Sequence, residues 1–224
     1  MESKKVAIIG SGGFGREVLW LIRDYNSHPT IGSGQKPLDV VGFITNDTEM
    51  HGKVICDIPV LKPYDWLLRN PDVYAVCGIG DPRARIKVTK YFEEKGVKFL
   101  SILHPSVKMS QYVEIGNGCI ICAGNIITTQ VKIGNHVHIN LNSTIGHDAV
   151  IHDFVTISPG VNISGRVEVG YGVFLGTNCT MIERTRIGRG SFIGAGAVVN
   201  RDVEENVVSV GVPSRAVKKV SDII

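Results

Sequence analysis

A chain of 224 residues with 43% hydrophobic and 20% charged side chains carries enough apolar material for one large core or two modest ones. Its formal charge is only +3 and no Lys/Arg run is dense, which argues against a nucleic-acid partner; Lys218 and Lys219 read as a solvated end. No apolar run reaches the ~18 residues of a membrane span, Met1 is not followed by a signal-peptide core, and the five cysteines are scattered, so a reducing cytoplasm and no membrane are expected.

In chain order, Lys5–Ile9 predicts a short buried strand. It is followed by the glycine-rich turn Gly10, Ser11, Gly12, Gly13, Phe14, Gly15 and by an amphipathic helix to about Tyr25, with Val18, Leu19, Leu21 and Ile22 on one face. Residues 27–37 are rich in Gly, Pro and Ser and read as a loop. Val40–Ile44 and Val73–Cys77 predict further buried strands, Pro82–Lys95 a helix closed by Gly96, and Val97–Ile102 another strand. Alternating strands and helices predict a small Rossmann-like parallel α/β sheet over residues 1–102.

From Leu103 to Val199 the pattern changes. An aliphatic residue or methionine returns at every sixth position without a break: Leu103, Met109, Ile115, Ile121 and onward through Ile187, Ile193 and Val199. Four residues after each stands a mostly small or β-branched side chain, such as Cys119, Asn125, Val131, Val137 and Ser143. A period of six fits neither a helix nor a plain amphipathic strand, and is the hexapeptide signature of a parallel β-helix. Three hexads close one triangular coil, so residue i+18 lies one strand spacing, about 4.8 Å, beyond residue i. The β-helix is expected to span 103–204, with 205–224 a C-terminal tail. Cys119 and Cys122 form a CxxC, but the hexad register puts Cys119 at a small interior position, which favours packing over metal binding.

Two stretches carry chemistry. The glycine turn between the first strand and helix lets backbone N–H groups approach a pyrophosphate at the helix N-terminus, or simply joins the two elements. Asp47 stands a little late after the second strand for the acidic residue that holds a ribose in a dinucleotide fold, while the turn Gly78–Arg85 after the third strand lies on the same edge of the sheet and closes the other side of such a pocket. In the β-helix four of the seven histidines crowd together: His136, His138, His147 and His152. His147 lies two residues past an inward position, at a coil edge, with Asp148 beside it to orient the ring. An imidazole with an ordinary pKa of ~6.5 suits deprotonation of an attacking amine or hydroxyl. A plain surface histidine is the alternative.

These segments, namely Val6–Glu17, Thr144–Asp148, Asp153–Gly160, Gly194–Val199 and Val210–Pro213, together resemble the hexapeptide-repeat sugar acetyltransferases with an N-terminal nucleotide-sugar domain. That group includes sialic-acid O-acetyltransferase-like proteins and UDP-amino-sugar N-acetyltransferases. The resemblance implies a left-handed β-helix, a homotrimer, and acetyl-CoA lying in the groove between neighbouring β-helices, with no metal. It matches His147 to the general base and Asp148 to the acid that raises its basicity. It places coenzyme contacts at Thr156, Gly165, Thr177 and Ala195, and the nucleotide sugar along Gly10, Gly12, Gly13, Phe14, Gly15, Thr45, Asn46 and Gly80. Gly165, one coil after His147, offers a backbone N–H to the thioester carbonyl. Two positions depart from the pattern: Thr156 stands where relatives often carry histidine, with His138 a candidate substitute, and Thr45–Asn46 stands where they often carry an acidic pair.

N-acetylation of a nucleotide-linked amino sugar of the 4-amino-4,6-dideoxy type is the expected activity, because the glycine turn suits a phosphate-bearing acceptor. O-acetylation of sialic acid, which lacks that phosphate, is the alternative. A γ-class carbonic-anhydrase-like metal site would use His147 and His152 but needs a third histidine where the chain has Gln111. A non-enzymatic scaffold is the remaining alternative.

Overall fold

A computed structural model describes residues 3–29 and 36–223. The chain forms two compact units, one comprising residues up to Gly80 together with 84–105, the other 81–83 together with Ser106 onward.

The first unit is built on a five-stranded sheet: β1 (Lys4–Ile9), β2 (Leu38–Ile44), β3 (Val54–Ile55), β4 (Ile58–Leu61) and β5 (Tyr74–Cys77), in the order β3-β4-β2-β1-β5. β4, β2, β1 and β5 run parallel, while β3 and β4 form an antiparallel hairpin. Helix α1 (Gly13–Ser27) buries Val18, Leu19, Leu21 and Ile22, the face set by its apolar spacing. Helix α2 (Pro82–Glu93) ends before Gly96, whose φ of +82° turns the chain in a region that side chains disfavour. Ala7, Ile9, Ile44, Leu67, Val73, Ala75 and Phe92 form a continuous core.

Three features differ from the sequence reading. Val97–Ile102 is no continuous strand: Phe99 makes a single parallel bridge to Ala75, with Ala75 N–H donating to Lys98 and Leu100 N–H to Ala75. The β3–β4 hairpin was not expected, since its turn, Cys56–Asp57 at φ 49° and 67°, uses no glycine and its strands are too short for a period-2 pattern. Two 3-10 turns, Thr48–Met50 and Tyr64–Arg69, also lie between β2 and β5, where the sequence reading names no element. Most of the Gly/Pro/Ser-rich loop, residues 30–35, lies outside the described residues.

The second unit is a parallel β-helix. Each strand is two residues long and pairs in register with the strand 18 residues on, as in Ile126–Ile127 with Thr144–Ile145, then Asn162–Ile163, Thr180–Met181 and Val198–Val199. Such strands stack into three separate sheets, one per face. Interior hexad positions from Cys119 to Val199 are buried, whereas Met109 in the first coil is 46% exposed, as end coils with only one stacked neighbour often are. The tail forms a hairpin: Val207–Val210 pairs parallel to Phe192–Ile193 and antiparallel to Arg215–Lys219.

One interior position is occupied by an amide. Asn125 is fully buried, its Nδ2 donating to the Cys122 carbonyl at 2.7 Å and its Oδ1 accepting from the Ser143 N–H at 2.9 Å. A hydrophobic side chain there matches the repeat yet strands both backbone groups in a dry interior. Asn125→Val is therefore expected to lower stability by about 2 kcal/mol, read as an earlier thermal or denaturant transition; an unchanged midpoint would overturn this account.

Candidate active site

His147 is placed by the requirements of a coil corner. The chain leaves the strand Thr144–Ile145, and at Gly146 the next coil passes so closely that a Cβ would lie 2.7 Å from the Gly165 backbone nitrogen. His147 follows, and Asp148, at φ 59°, turns the chain toward Val150–Ile151. His147 and Asp148 are about half exposed, and their side chains meet with Nδ1 and Oδ2 2.8 Å apart. A carboxylate only accepts, so Nδ1 carries the proton in this pair and Nε2 keeps a lone pair free to take another.

Gly165 lies under this ring. A Cβ on residue 165 would come within 2.6 Å of His147 Cε1 and Nε2, so glycine here makes room for the imidazole. The Arg166 N–H donates to His147 O at 2.8 Å and the Arg184 N–H to Gly165 O at 3.1 Å, fixing the corner to the coils beyond it. Gly165 is itself buried, and its N–H has no acceptor among the described residues. A proton acceptor and an amide donor thus sit side by side at one corner, as acyl transfer needs.

The other expected coenzyme positions stand elsewhere on the coil. Thr177 and Ala195, both exposed, stack at the corner after Phe174–Leu175, with the Gly196 N–H donating to Thr177 O at 2.8 Å. Thr156, 2% exposed, lies on the same face as Phe174, with which it pairs, and pairs on its other side with His138, which is fully buried. Within one chain, therefore, His147 and Gly165 share a corner while Thr177 and Ala195 share a different one. His152 does not join His147; its Nε2 meets Glu168 at 3.0 Å. No group of three or more His, Cys, Asp or Glu side chains suited to a metal ion occurs among the described residues.

In the first unit the carboxyl edge of the sheet collects the glycines. Gly10, Gly15 and Gly78 are required by packing: a Cβ on Gly15 would overlap the Gly10 carbonyl, and one on Gly78 would lie 2.7 Å from Gly15 Cα. Gly12, Gly13 and Gly80 are different. A Cβ on any of them meets nothing within 4 Å, and none has a positive φ. Among the described residues these are the glycines that neither sterics nor backbone angle demands, and all three lie on this edge, at the β1–α1 and β5–α2 turns. The start of α1 has Gly12 as N-cap without a side-chain bond, and Phe14 follows in the first turn, half-buried. Beyond β2, Thr45 Oγ1 accepts from the Asp47 N–H at 3.2 Å, Asp47 caps the 3-10 turn through the Glu49 N–H, and Asn46 is left exposed.

Sequence reasoning missed Arg85. It is fully buried, and its Nη1 donates to the carbonyls of Ile79 at 2.9 Å and Gly80 at 3.1 Å, bracing the β5–α2 turn from beneath. One cation among 24 gives no signal of burial in a linear reading. Burial pushes the Cys77 thiol up to about 11 against the lowering influence of Arg85, and pushes the Cys179 thiol up to about 12. Cys119 and Cys122 are buried as well, so four of the five cysteines are enclosed.

Residues 5–92 match the model of the PglD N-terminal domain. The chain is 28% identical over 191 residues to the GDP-perosamine N-acetyltransferase of Escherichia coli O157:H7, covering 84% of this chain and 82% of that one. PerB from Caulobacter crescentus, solved in complex with CoA and GDP-perosamine, superimposes with a TM-score of 0.84 at 28% identity, covering 96% and 97% of the two chains. WeeI from Acinetobacter baumannii AYE gives a TM-score of 0.82 at 30% identity, covering 95% and 99%. With a PglD-type domain, a hexapeptide β-helix and full-length relatives of this kind, the chain belongs to the hexapeptide-repeat sugar acetyltransferases.

Proposed function

We propose that this protein transfers the acetyl group of acetyl-CoA to the amine of a nucleotide-linked amino sugar of the 4-amino-4,6-dideoxy type. The observation that carries the reading is the His147–Asp148 pair lying over Gly165. In this mechanism His147 Nε2 takes a proton from the amine as its nitrogen bonds to the thioester carbonyl carbon. The Gly165 N–H donates to the carbonyl oxygen as charge develops there. The C–S bond then breaks, and the imidazolium returns its proton to the departing thiolate, leaving an amide and free CoA. Asp148 holds the ring and stabilises the imidazolium. With four of the five thiols enclosed, and those of Cys77 and Cys179 raised by burial, transfer is direct, with no acetyl-enzyme.

The nucleotide sugar is assigned to the glycine edge of the first unit. A Cβ on Gly12, Gly13 or Gly80 would meet nothing within 4 Å, and a missing Cβ at a helix N-terminus suits the close approach of a pyrophosphate. Gly10, Phe14, Gly15, Thr45 and Asn46 line the same edge. O-acetylation of sialic acid gives no use to this edge and is disfavoured. The coenzyme is assigned to Gly165, Thr177 and Ala195; of the expected contacts Thr177 and Ala195 are exposed, whereas Thr156 and Gly165 are buried. Since Thr177 and Ala195 occupy a different corner from His147, one acetyl-CoA reaches both sets when a second copy supplies the other corner. That is the basis for assigning a homotrimer with the coenzyme between subunits. No helix among the described residues is long and apolar enough to cross a membrane, and the scattered reduced cysteines favour a cytoplasmic site of action.

Three measurements test this reading. With acetyl-CoA and a panel of UDP-, GDP- and dTDP-linked 4-amino sugars, alongside sialic acid, His147→Ala is expected to lower kcat by roughly 10²–10⁴-fold with acetyl-CoA affinity retained. Near-normal turnover in that variant would remove His147 as the base. Gly165→Ala puts a methyl where the ring lies, so a loss of about 10-fold or more in kcat is expected while the N–H remains; wild-type rates would show that the ring is not held over this residue during catalysis. In solution the mass should be close to three times the 24.3 kDa of one chain, and a fully active monomer would dismiss the shared groove.

A further inference from the structure

The corner bearing His147 and Asp148 is followed one coil on by Gly165 and Arg166, and a further coil on by Glu183 and Arg184. At the equivalent positions of the preceding coil stand Thr129 and Gln130, both uncharged, so the cation facing Asp148 comes from the coil after it. Arg166 Nε lies 3.8 Å from Asp148 Oδ2, the same oxygen that meets His147 Nδ1 at 2.8 Å. The far end of the guanidinium is tied down: Nη1 donates to Glu183 Oε1 at 2.9 Å, and that oxygen lies 3.5 Å from Arg184 Nε. The charges therefore alternate along the helix axis, Asp148, Arg166, Glu183, Arg184, away from the imidazole.

We infer that Arg166 is a positioning residue for acetyl transfer, holding the Asp148 carboxylate in the orientation that accepts the His147 Nδ1 proton. The inference rests on His147 acting as the base. Asp148 and His147 are each nearly half exposed, at 45% and 49% of their side-chain surface, so water competes for both and the carboxylate has rotamers that lose the ring. A second contact on Oδ2, from a guanidinium fixed at its other end, selects the rotamer that keeps it. The backbone cooperates, because the Arg166 N–H donates to His147 O at 2.8 Å and holds residue 166 against this corner. Glu183 offsets the positive charge, so Arg166 steadies Asp148 without strongly opposing the imidazolium formed during transfer. At 3.8 Å the Arg166–Asp148 contact is an ion pair without a direct hydrogen bond, and its effect is correspondingly moderate.

The test uses the full chain with acetyl-CoA and GDP-perosamine as acceptor probe, beside 15N-histidine NMR of the ring at pH 8. Arg166→Met is expected to lower kcat about 10-fold while KM for both substrates stays within about twofold. Because Arg166 acts through Asp148, the double variant Asp148→Asn/Arg166→Met should be no slower than Asp148→Asn alone within about twofold. Glu183→Gln, which retains the guanidinium but frees it, should lose about threefold and serves if the methionine variant does not fold. The ring spectrum needs no turnover: His147 should be the Nδ1–H tautomer in the wild type and mixed in Arg166→Met. An unchanged tautomer, additive losses, or a loss confined to KM for the sugar would overturn the positioning role. Wild-type rings of the expected tautomer with no transfer to GDP-perosamine would instead fault the choice of acceptor.

Discussion

Everything in the second unit depends on in-register stacking of residue i on residue i+18. The pairing joins one coil to the next through backbone bonds such as Thr144 N–H to Val161 O and Gly146 N–H to Ile163 O, and leaves no freedom of register between coils. A side chain at a corner therefore meets the residue 18 positions later, whatever the local propensities are. His147 needs glycine at 165 for this reason, and Gly146 is needed because the backbone at 165 passes beside it. The proposed base and the amide donor are neighbours in space only because the period is 18, so the repeat that builds the core also assembles the chemistry.

The same constraint explains why polar residues are tolerated inside. A small interior position normally holds Val, Ala or Cys, yet Asn125 and Ser143 are both fully buried. Each replaces a backbone partner that the turn lacks: Ser143 Oγ accepts from the Val161 N–H at 3.1 Å, as Asn125 Oδ1 accepts from the Ser143 N–H. Further along the column the N–H groups of Cys179 and Ala197 donate to the carbonyls of Gly176 and Gly194 instead, and the interior side chains there are apolar.

The first unit uses glycine in two separable ways. Gly10, Gly15 and Gly78 allow three backbones to meet at the end of β1, and the protein itself accounts for them. Gly12, Gly13 and Gly80 leave open space that the protein does not fill. Arg85 adds a charge buried directly behind that edge, held by two carbonyls of the Ile79–Gly80 turn. A buried cation is costly to desolvate, and its use here braces a turn that carries no side chain of its own at Gly80.

The sequence by itself determined the architecture of the second unit, because an unbroken period of six from Leu103 to Val199 has one packing solution, and the same register put Gly165 one coil beyond His147. It also determined β1, α1, β2, β5 and α2, whose apolar patterns are local. It did not determine the β3–β4 hairpin, the irregular path of residues 97–101 or the half-open first coil, where pairing partners and end position, not local pattern, set the structure. The fold decided the rest of the site's surroundings: that His138 and Thr156 are enclosed, that Arg85 is buried, and that Arg166 reaches Asp148. Burial and side-chain direction depend on what the rest of the chain packs against each residue. A charged residue reads the same in a linear sequence whether it is solvated or braced beneath a turn, and only the folded chain distinguishes the two.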